Sequence, residues 1–251
     1  MVDYPIPLSI AALITFWLAA QIGVLASRRR TLTEDEREDF VVVQAATLTL
    51  LGLIIGFTFS MASTRYDQRK SYEAAEANLI GTEYLRVGLL PAADAAKLRA
   101  QLKKYLELRI LFYRARHGQD LTKINAETAQ LQSEMWTAME ATARAQPTPT
   151  AALAASGLNE VLDSQGYTQA AWWNRIPVAA WRLMSAMAVC CSFLIGYGRR
   201  SNRGNVSLFI ILPVVVSIAF LLIADIDSPR GGLVRVVPDD LVSLSQSLAG
   251  Q

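Results

Sequence analysis

The chain has 251 residues, 52% of them hydrophobic and only 18% charged, whereas soluble domains carry about 25% charged residues. Its net charge is +2, and no basic stripe runs along a helix face, which excludes nucleic acid as a partner. Mean hydropathy is +0.26, and the apolar residues gather in four stretches: Pro7–Ser27, Phe40–Ala62, Ile176–Tyr197 and Val206–Ile226. Each is long enough to cross a hydrocarbon core of about 30 Å at about 1.5 Å per helical residue. The expected fold is all-α, with four transmembrane helices in two pairs and a helical extramembrane domain between the second and third. The corresponding division is 1–64, 65–175, 176–227 and a tail, 228–251. Four spans place the N-terminus, the middle domain and the C-terminus on one side of the lipid bilayer.

In chain order, Met1–Pro7 reads as an extended approach because of its two prolines. The first span then reads as an uncleaved helix stopped by Arg28-Arg29-Arg30, since no basic segment precedes it. Thr31 or Thr33 is suited to cap the next helix, with Glu34, Asp35 and Glu36 in its first turn. No proline follows until Pro91, so Glu36 to about Leu89 reads as nearly continuous helix. Ala92–His117 carries Leu98, Leu102, Tyr105, Leu106, Ile110 and Tyr113 at helical spacing. A further helix, capped by Asp120 or Thr122, runs to Ala145 with Ile124, Leu131, Met135 and Met139 inward. Gln146–Ser156 contains a turn, and a last helix covers Leu153 to Trp173. Gly198–Asn205 is a basic turn between the last two spans. In the tail, Leu233–Val237 is a short candidate strand and Asp239–Leu248 a short helix.

Cys190 and Cys191 are adjacent within a span, so they read as small buried hydrophobes and not as a disulfide or metal site. No nucleophile elbow, metal-ligand spacing or phosphate-cradling loop is visible, so the chain reads as a non-enzyme with no cofactor and no metal. His117, the sole histidine, reads as a helix-end dipole partner. Glu73, Glu76 and Glu83, with Arg65, Arg69 and Arg86 nearby, read as surface ion pairs. Trp172, Trp173 and Trp181 read as an interfacial aromatic belt. Arg182 lies one to two turns inside the third span and Asp225 near the exit of the fourth. Ionisable groups at that depth need a partner, so the expectation is an intramembrane ion pair between Arg182 and Asp225 or Asp227.

The second span differs from a simple anchor. Thr49, Gly52, Gly56, Ser60 and Ser63 recur at steps of three and four, giving one face of small, weakly polar groups. Gly52 and Gly56 form a GxxxG pair that allows close helix packing. Ile54 and Phe57 lie on other faces, as an apolar constriction or as lipid-facing bulk.

Leu50-Leu51-Gly52, Gly56-Phe57 and Ala62-Ser63-Thr64-Arg65-Tyr66 resemble the second transmembrane helix of bestrophins. There a Gly-Phe pair is followed, nine residues after the glycine, by an arginine and an aromatic residue. Ile226-Asp227-Ser228-Pro229-Arg230-Gly231 is similar to that family's Pro-Phe-Gly segment, with Arg230 in place of the phenylalanine. Together with Arg175-Ile176-Pro177 before the third span, these features resemble the bacterial bestrophin-like family, itself distantly similar to bestrophin anion channels. The resemblance implies a homo-oligomer, a pentamer, in a bacterial cytoplasmic (inner) membrane, conducting small inorganic anions. It places Thr49, Ile54, Phe57, Ser60 and Arg65 along the pore or its mouth, where hydroxyls replace ion hydration and Arg65 concentrates anions. The acidic tail, with Asp239 and Asp240 after Asp227, offers too few oxygen ligands to carry over calcium binding. The resemblance implies a cytoplasmic middle domain. Arginines in the two short loops favour the opposite orientation. The rival reading is a membrane-anchored helical sensor or assembly module without conduction.

Overall fold

The computed structural model describes residues 5–29, 32–116, 118–198 and 206–250. Its helices are α1 (Pro5–Ser27), α2 (Glu34–Arg86), α3 (Ala92–Arg114), α4 (Gly118–Ala145), α5 (Pro149–Trp173), α6 (Val178–Tyr197), α7 (Val206–Asp227) and α8 (Asp239–Ala249). A single 3-10 turn, Val87–Leu89, follows α2. No strand occurs among the described residues, and α1, α2, α6 and α7 contain apolar segments of membrane-spanning length. The all-α expectation with four spans therefore holds.

Several boundaries move for physical reasons. The first helix begins at Pro5 and not after Pro7, because proline in a first turn forfeits only amide donors that have no helical acceptor. The same effect extends α5 back to Pro149, where Thr148 caps the helix by accepting the Ala151 N–H at 3.2 Å. Thr122 is no cap, since its hydroxyl donates to the Gly118 carbonyl within α4. Leu233 and Val234 form no strand, and their amides are taken by Asp225. Thr31, His117 and residues 199–205 of the basic turn lie outside the described residues.

The chain divides into two units, Met1–Arg65 with Arg175–Arg235, and Tyr66–Asn174 with Val236–Gln251. In the first, α1 packs on α6 and α7. The α1–α6 approach is made by Gly23 and Gly196. A methyl at Gly196 would collide with the Ala20 carbonyl oxygen and lie 3.1 Å from the Val24 nitrogen. One at Gly23 would collide with the Phe193 carbonyl oxygen and lie 2.8 Å from the Tyr197 nitrogen. Small residues at such a crossing let dispersion contacts form between backbones, the main source of helix association where lipid tails are as apolar as leucine. Phe16 and Phe220 meet edge to face at 5.4 Å, and Trp181 meets Phe220 at 5.8 Å.

The second unit is a helical bundle. Leu98, Leu102, Tyr105, Leu106, Ile110 and Tyr113 of α3 are all buried, as are Leu131, Met135 and Met139 of α4, with Ile124 packed at the margin. Trp172 belongs to this core, edge-on to Phe112 at 5.2 Å and to Tyr113 at 5.5 Å, and so is no part of an interfacial belt. The tail helix α8 docks by burying Leu241 and Leu248. Glu73 accepts the Leu241 N–H at its N-terminus (3.0 Å), and Lys103 donates to the Leu248 carbonyl at its C-terminus (2.7 Å). Burial pushes the Glu73 carboxyl up to about 7, with the Leu241 amide pulling it down and Asp240 and Asp239 adding to the rise, while the Lys103 cation at the far end complements the macrodipole.

Glu73, Glu76 and Glu83 are not surface ion-pair members: all three are buried, as is Arg69. Glu76 binds the fully buried Arg109 through Nε and, at 3.4 Å, through Nη2. It also accepts from Thr168 Oγ1 at 3.2 Å and Tyr113 OH at 3.4 Å. Burial is the largest single influence and works against the Arg109 charge, but the Glu76 carboxylate and its hydrogen bond, together with Tyr105 and Tyr113, outweigh it and raise the arginine's pKa. Arg69 donates to the Ala171 and Asn174 carbonyls at 3.2 and 3.1 Å, closing the C-terminal end of α5. Of the residues expected to form surface ion pairs, Arg86 makes one among the described residues, with Glu160 at 3.4 Å.

Candidate functional site

The candidate site lies on the first half of α2. Its start is a reciprocal capping box: Glu36 N–H donates to Thr33 Oγ1 at 3.4 Å, and Thr33 N–H donates to the Glu36 carboxylate at 3.0 Å. From there the helix continues without a break to Arg86. Its most apolar 18 residues are only 6% buried, against 50% for the corresponding 18 residues of α7.

Over the whole apolar stretch, 40–62, the buried positions are Leu51, Thr58 and Ala62. At about 100° per residue they fall within about 20° of one line along the helix. Ser60 stands diametrically opposite that line, and Thr49 and Gly56 lie within about 40° of Ser60. All three are exposed. The small, weakly polar face therefore points away from the side that α2 buries. The Thr49 hydroxyl is tied to the helix itself, its Oγ1 donating to the Ala45 carbonyl at 2.9 Å.

The five predicted pore positions do not share one face. Thr49 and Ser60 lie on the exposed side, and Phe57 is 62% exposed on a neighbouring line. Ile54 and Arg65 sit within about 60° of the buried line, both half-buried, and Arg65 Nη1 is buried without a hydrogen-bond partner. Leu53 and Met61, four residues either side of Phe57, are also exposed. They extend Phe57 into an apolar stripe beside the small-residue face. The four-residue repeat was available in the sequence, but burial was needed to tell this stripe from the other apolar lines of the helix.

Gly52 and Gly56 have nothing within 4 Å of the position a methyl would take. Within one chain they pack against no other helix, and Gly23 and Gly196 make the close crossing instead.

The intramembrane pair does not form. Asp225 accepts the Leu233 and Val234 amides at 2.7 and 2.8 Å, and Asp227 accepts the Ile176 amide at 3.0 Å. These bonds fold the segment after α7 back onto its end and fasten the start of α6 to it. Backbone donors thus satisfy both carboxylates, and Arg182 is exposed with no carboxylate partner among the described residues.

No curated protein matches the sequence. Among solved structures, a point variant of the bacterial bestrophin homolog from Klebsiella pneumoniae is similar over 98% of each chain, with a TM-score of 0.70 and 14% identity. A second variant of that homolog matches with a TM-score of 0.68 and 14% identity, over 96% of this chain and 99% of its own. A zinc-phased structure of the homolog from the same organism gives 0.66 at 15% identity, over 96% and 97% of the two chains. These likenesses show a common fold. The Bestrophin-like domain model matches residues 9–241, nearly the whole chain, and the protein belongs to the Bestrophin-like family.

Proposed function

We propose that the chain assembles into an oligomeric ion channel, a pentamer permeable to small inorganic anions, with the first half of α2 lining the pore. The observation that carries this reading is the exposure of α2: the span that buries least of itself also bears the Thr49, Gly56 and Ser60 face. In a symmetric oligomer such a face is free to line a shared axis. Thr49 and Ser60 would present hydroxyls to a permeating ion, and Phe57, with Leu53 and Met61, an apolar ring that gates by dewetting. Ile54 and Arg65 lie toward the buried side, so their part is at the margin and mouth. Gly52 and Gly56 would keep the wall thin enough for neighbouring copies to approach. Family membership supports the channel reading over a sensor or assembly module. The reading places the protein in the bacterial inner membrane with both termini and the helical bundle on one side.

The test is electrical. Purified protein in planar bilayers under asymmetric chloride is expected to give currents whose reversal follows the chloride gradient. Phe57→Ala is expected to raise conductance several-fold by removing the apolar ring. Absence of current from both proteins, or an oligomer in which Phe57 and Ser60 face lipid, overturns the reading.

A further inference from the structure

We propose that a groove between α1, α6 and α7 is a binding site for one anionic phospholipid, whose acyl chain lies against Phe16, Trp181 and Phe220 while its phosphate pairs with Arg182. The groove has a volume of about 460 Å³, in the range of small-molecule sites and roomy enough for an acyl chain. Its floor is the edge-to-face series Phe16, Phe220 and Trp181, with Leu8 and Val189 on its flanks. An elongated apolar ligand therefore meets a rigid aromatic surface formed by three helices.

Arg182 supplies the charge. It stands five positions into α6, within the first two turns of a helix of membrane-spanning length. The carboxylates expected to pair with it, Asp225 and Asp227, are occupied by backbone amides, which leaves the guanidinium without an anionic partner among the described residues. A cation at this depth carries a large desolvation cost unless it is paired or wet. A lipid phosphate meets that need with charge-assisted, bidentate hydrogen bonds. Thr15 and Ser185 are the uncharged polar residues lining the groove, and no acidic residue lines it. The cationic end of a zwitterionic headgroup would find no counter-charge there. That asymmetry selects an anionic lipid over a zwitterionic one.

The test is native mass spectrometry of the detergent-purified assembly titrated with phosphatidylglycerol or phosphatidylcholine, alongside melting curves with each lipid and with inorganic phosphate. Saturable phosphatidylglycerol adducts are expected, about tenfold tighter than those of phosphatidylcholine, whose phosphate accepts the same hydrogen bonds but whose choline cation lies near Arg182 with no acidic residue in the groove to offset it. Arg182→Gln is expected to weaken both lipids and abolish the difference between them, with oligomer mass and lipid-free melting unchanged, and Arg182→Lys to retain part of the preference. Ala12→Phe, which fills the groove, is expected to weaken both lipids. Should Arg182→Gln not fold, the lysine and Ala12→Phe variants decide the matter. Equal affinity for the two lipids, or unchanged phosphatidylglycerol binding in Arg182→Gln or Ala12→Phe, overturns the proposal. So does stabilisation by inorganic phosphate equal to that by phosphatidylglycerol, which marks an ion site without a lipid. Loss of the oligomer in Ala12→Phe, with no lipid adduct on the parent, makes the groove an interface between copies and also overturns it.

Discussion

Glu83 offers the sharpest test of the buried polar row in the bundle. Both its carboxylate oxygens are buried without a hydrogen-bond partner. A methyl at Gly157 would collide with the carboxylate, so α5 leaves it space only because that position is glycine. Burial pushes its pKa from the ordinary 4.5 up to about 8, with Arg86 pulling it down and Glu160 adding to the rise. In the unfolded chain the group titrates near its ordinary value, so between 4.5 and about 8 the folded state holds the extra proton. The contribution to stability is fully present below the lower value and is lost as pH rises through the upper one. An interval of about 3.5 pH units at about 1.4 kcal/mol each sets an upper limit on the order of 5 kcal/mol. Glu83→Gln keeps the shape and removes the ionisation. One kcal/mol moves Tm by about 2–4 °C in a chain of this size. The variant is therefore expected to melt about 10 °C above the parent at pH 9 and within about 2 °C of it at pH 5. Melting curves of detergent-solubilised protein between pH 5 and 9 measure this. Parallel curves for parent and variant would refute the reasoning, because they would mean that Glu83 ionises in the folded bundle at no cost.

Two further predictions concern packing. Glu76→Gln leaves the Arg109 guanidinium buried beside a neutral amide and is expected to cost about 3–5 kcal/mol, whereas the double change Glu76→Leu with Arg109→Met is expected to restore most of it; a double-mutant cycle by chemical denaturation measures the difference. Gly196→Ala is expected to force α1 and α6 apart at a cost of about 1–3 kcal/mol, while Gly56→Ala, with open space at its methyl position, leaves the fold of the single chain as stable as before; thermal unfolding of both variants in detergent checks the contrast.

The amphipathic and apolar patterns were legible in the sequence because they depend only on local spacing. The α3 positions Leu98 to Tyr113 and the α4 positions Leu131, Met135 and Met139 follow the helical repeat, and they are the bundle core. Thr33 and Glu36 sit three residues apart beside an apolar run, and they form the cap. The small-residue face of α2 was visible for the same reason.

Partnership across the chain was not legible. Glu76 meets Arg109, 33 residues away, and Thr168, 92 residues away. At the local level Glu73, Glu76 and Glu83 have the spacing of any solvated helix face. Only the packing of other helices around the second half of α2 turns them into buried groups. Asp225 and Asp227 show the converse. Their depth in the sequence demanded a partner, but the partner class was open. The loop folding back at Gly232 brings main-chain amides to Asp225 before a side-chain cation reaches it.

By itself, the sequence determined that the protein is all-helical with four apolar spans, because span length and helical periodicity are read residue by residue along one chain. Which glycines permit close packing, which acids are buried, and which side of α2 is left uncovered were decided only by the tertiary structure. Those properties depend on what lies across from each residue, and no spacing along a single helix contains that information.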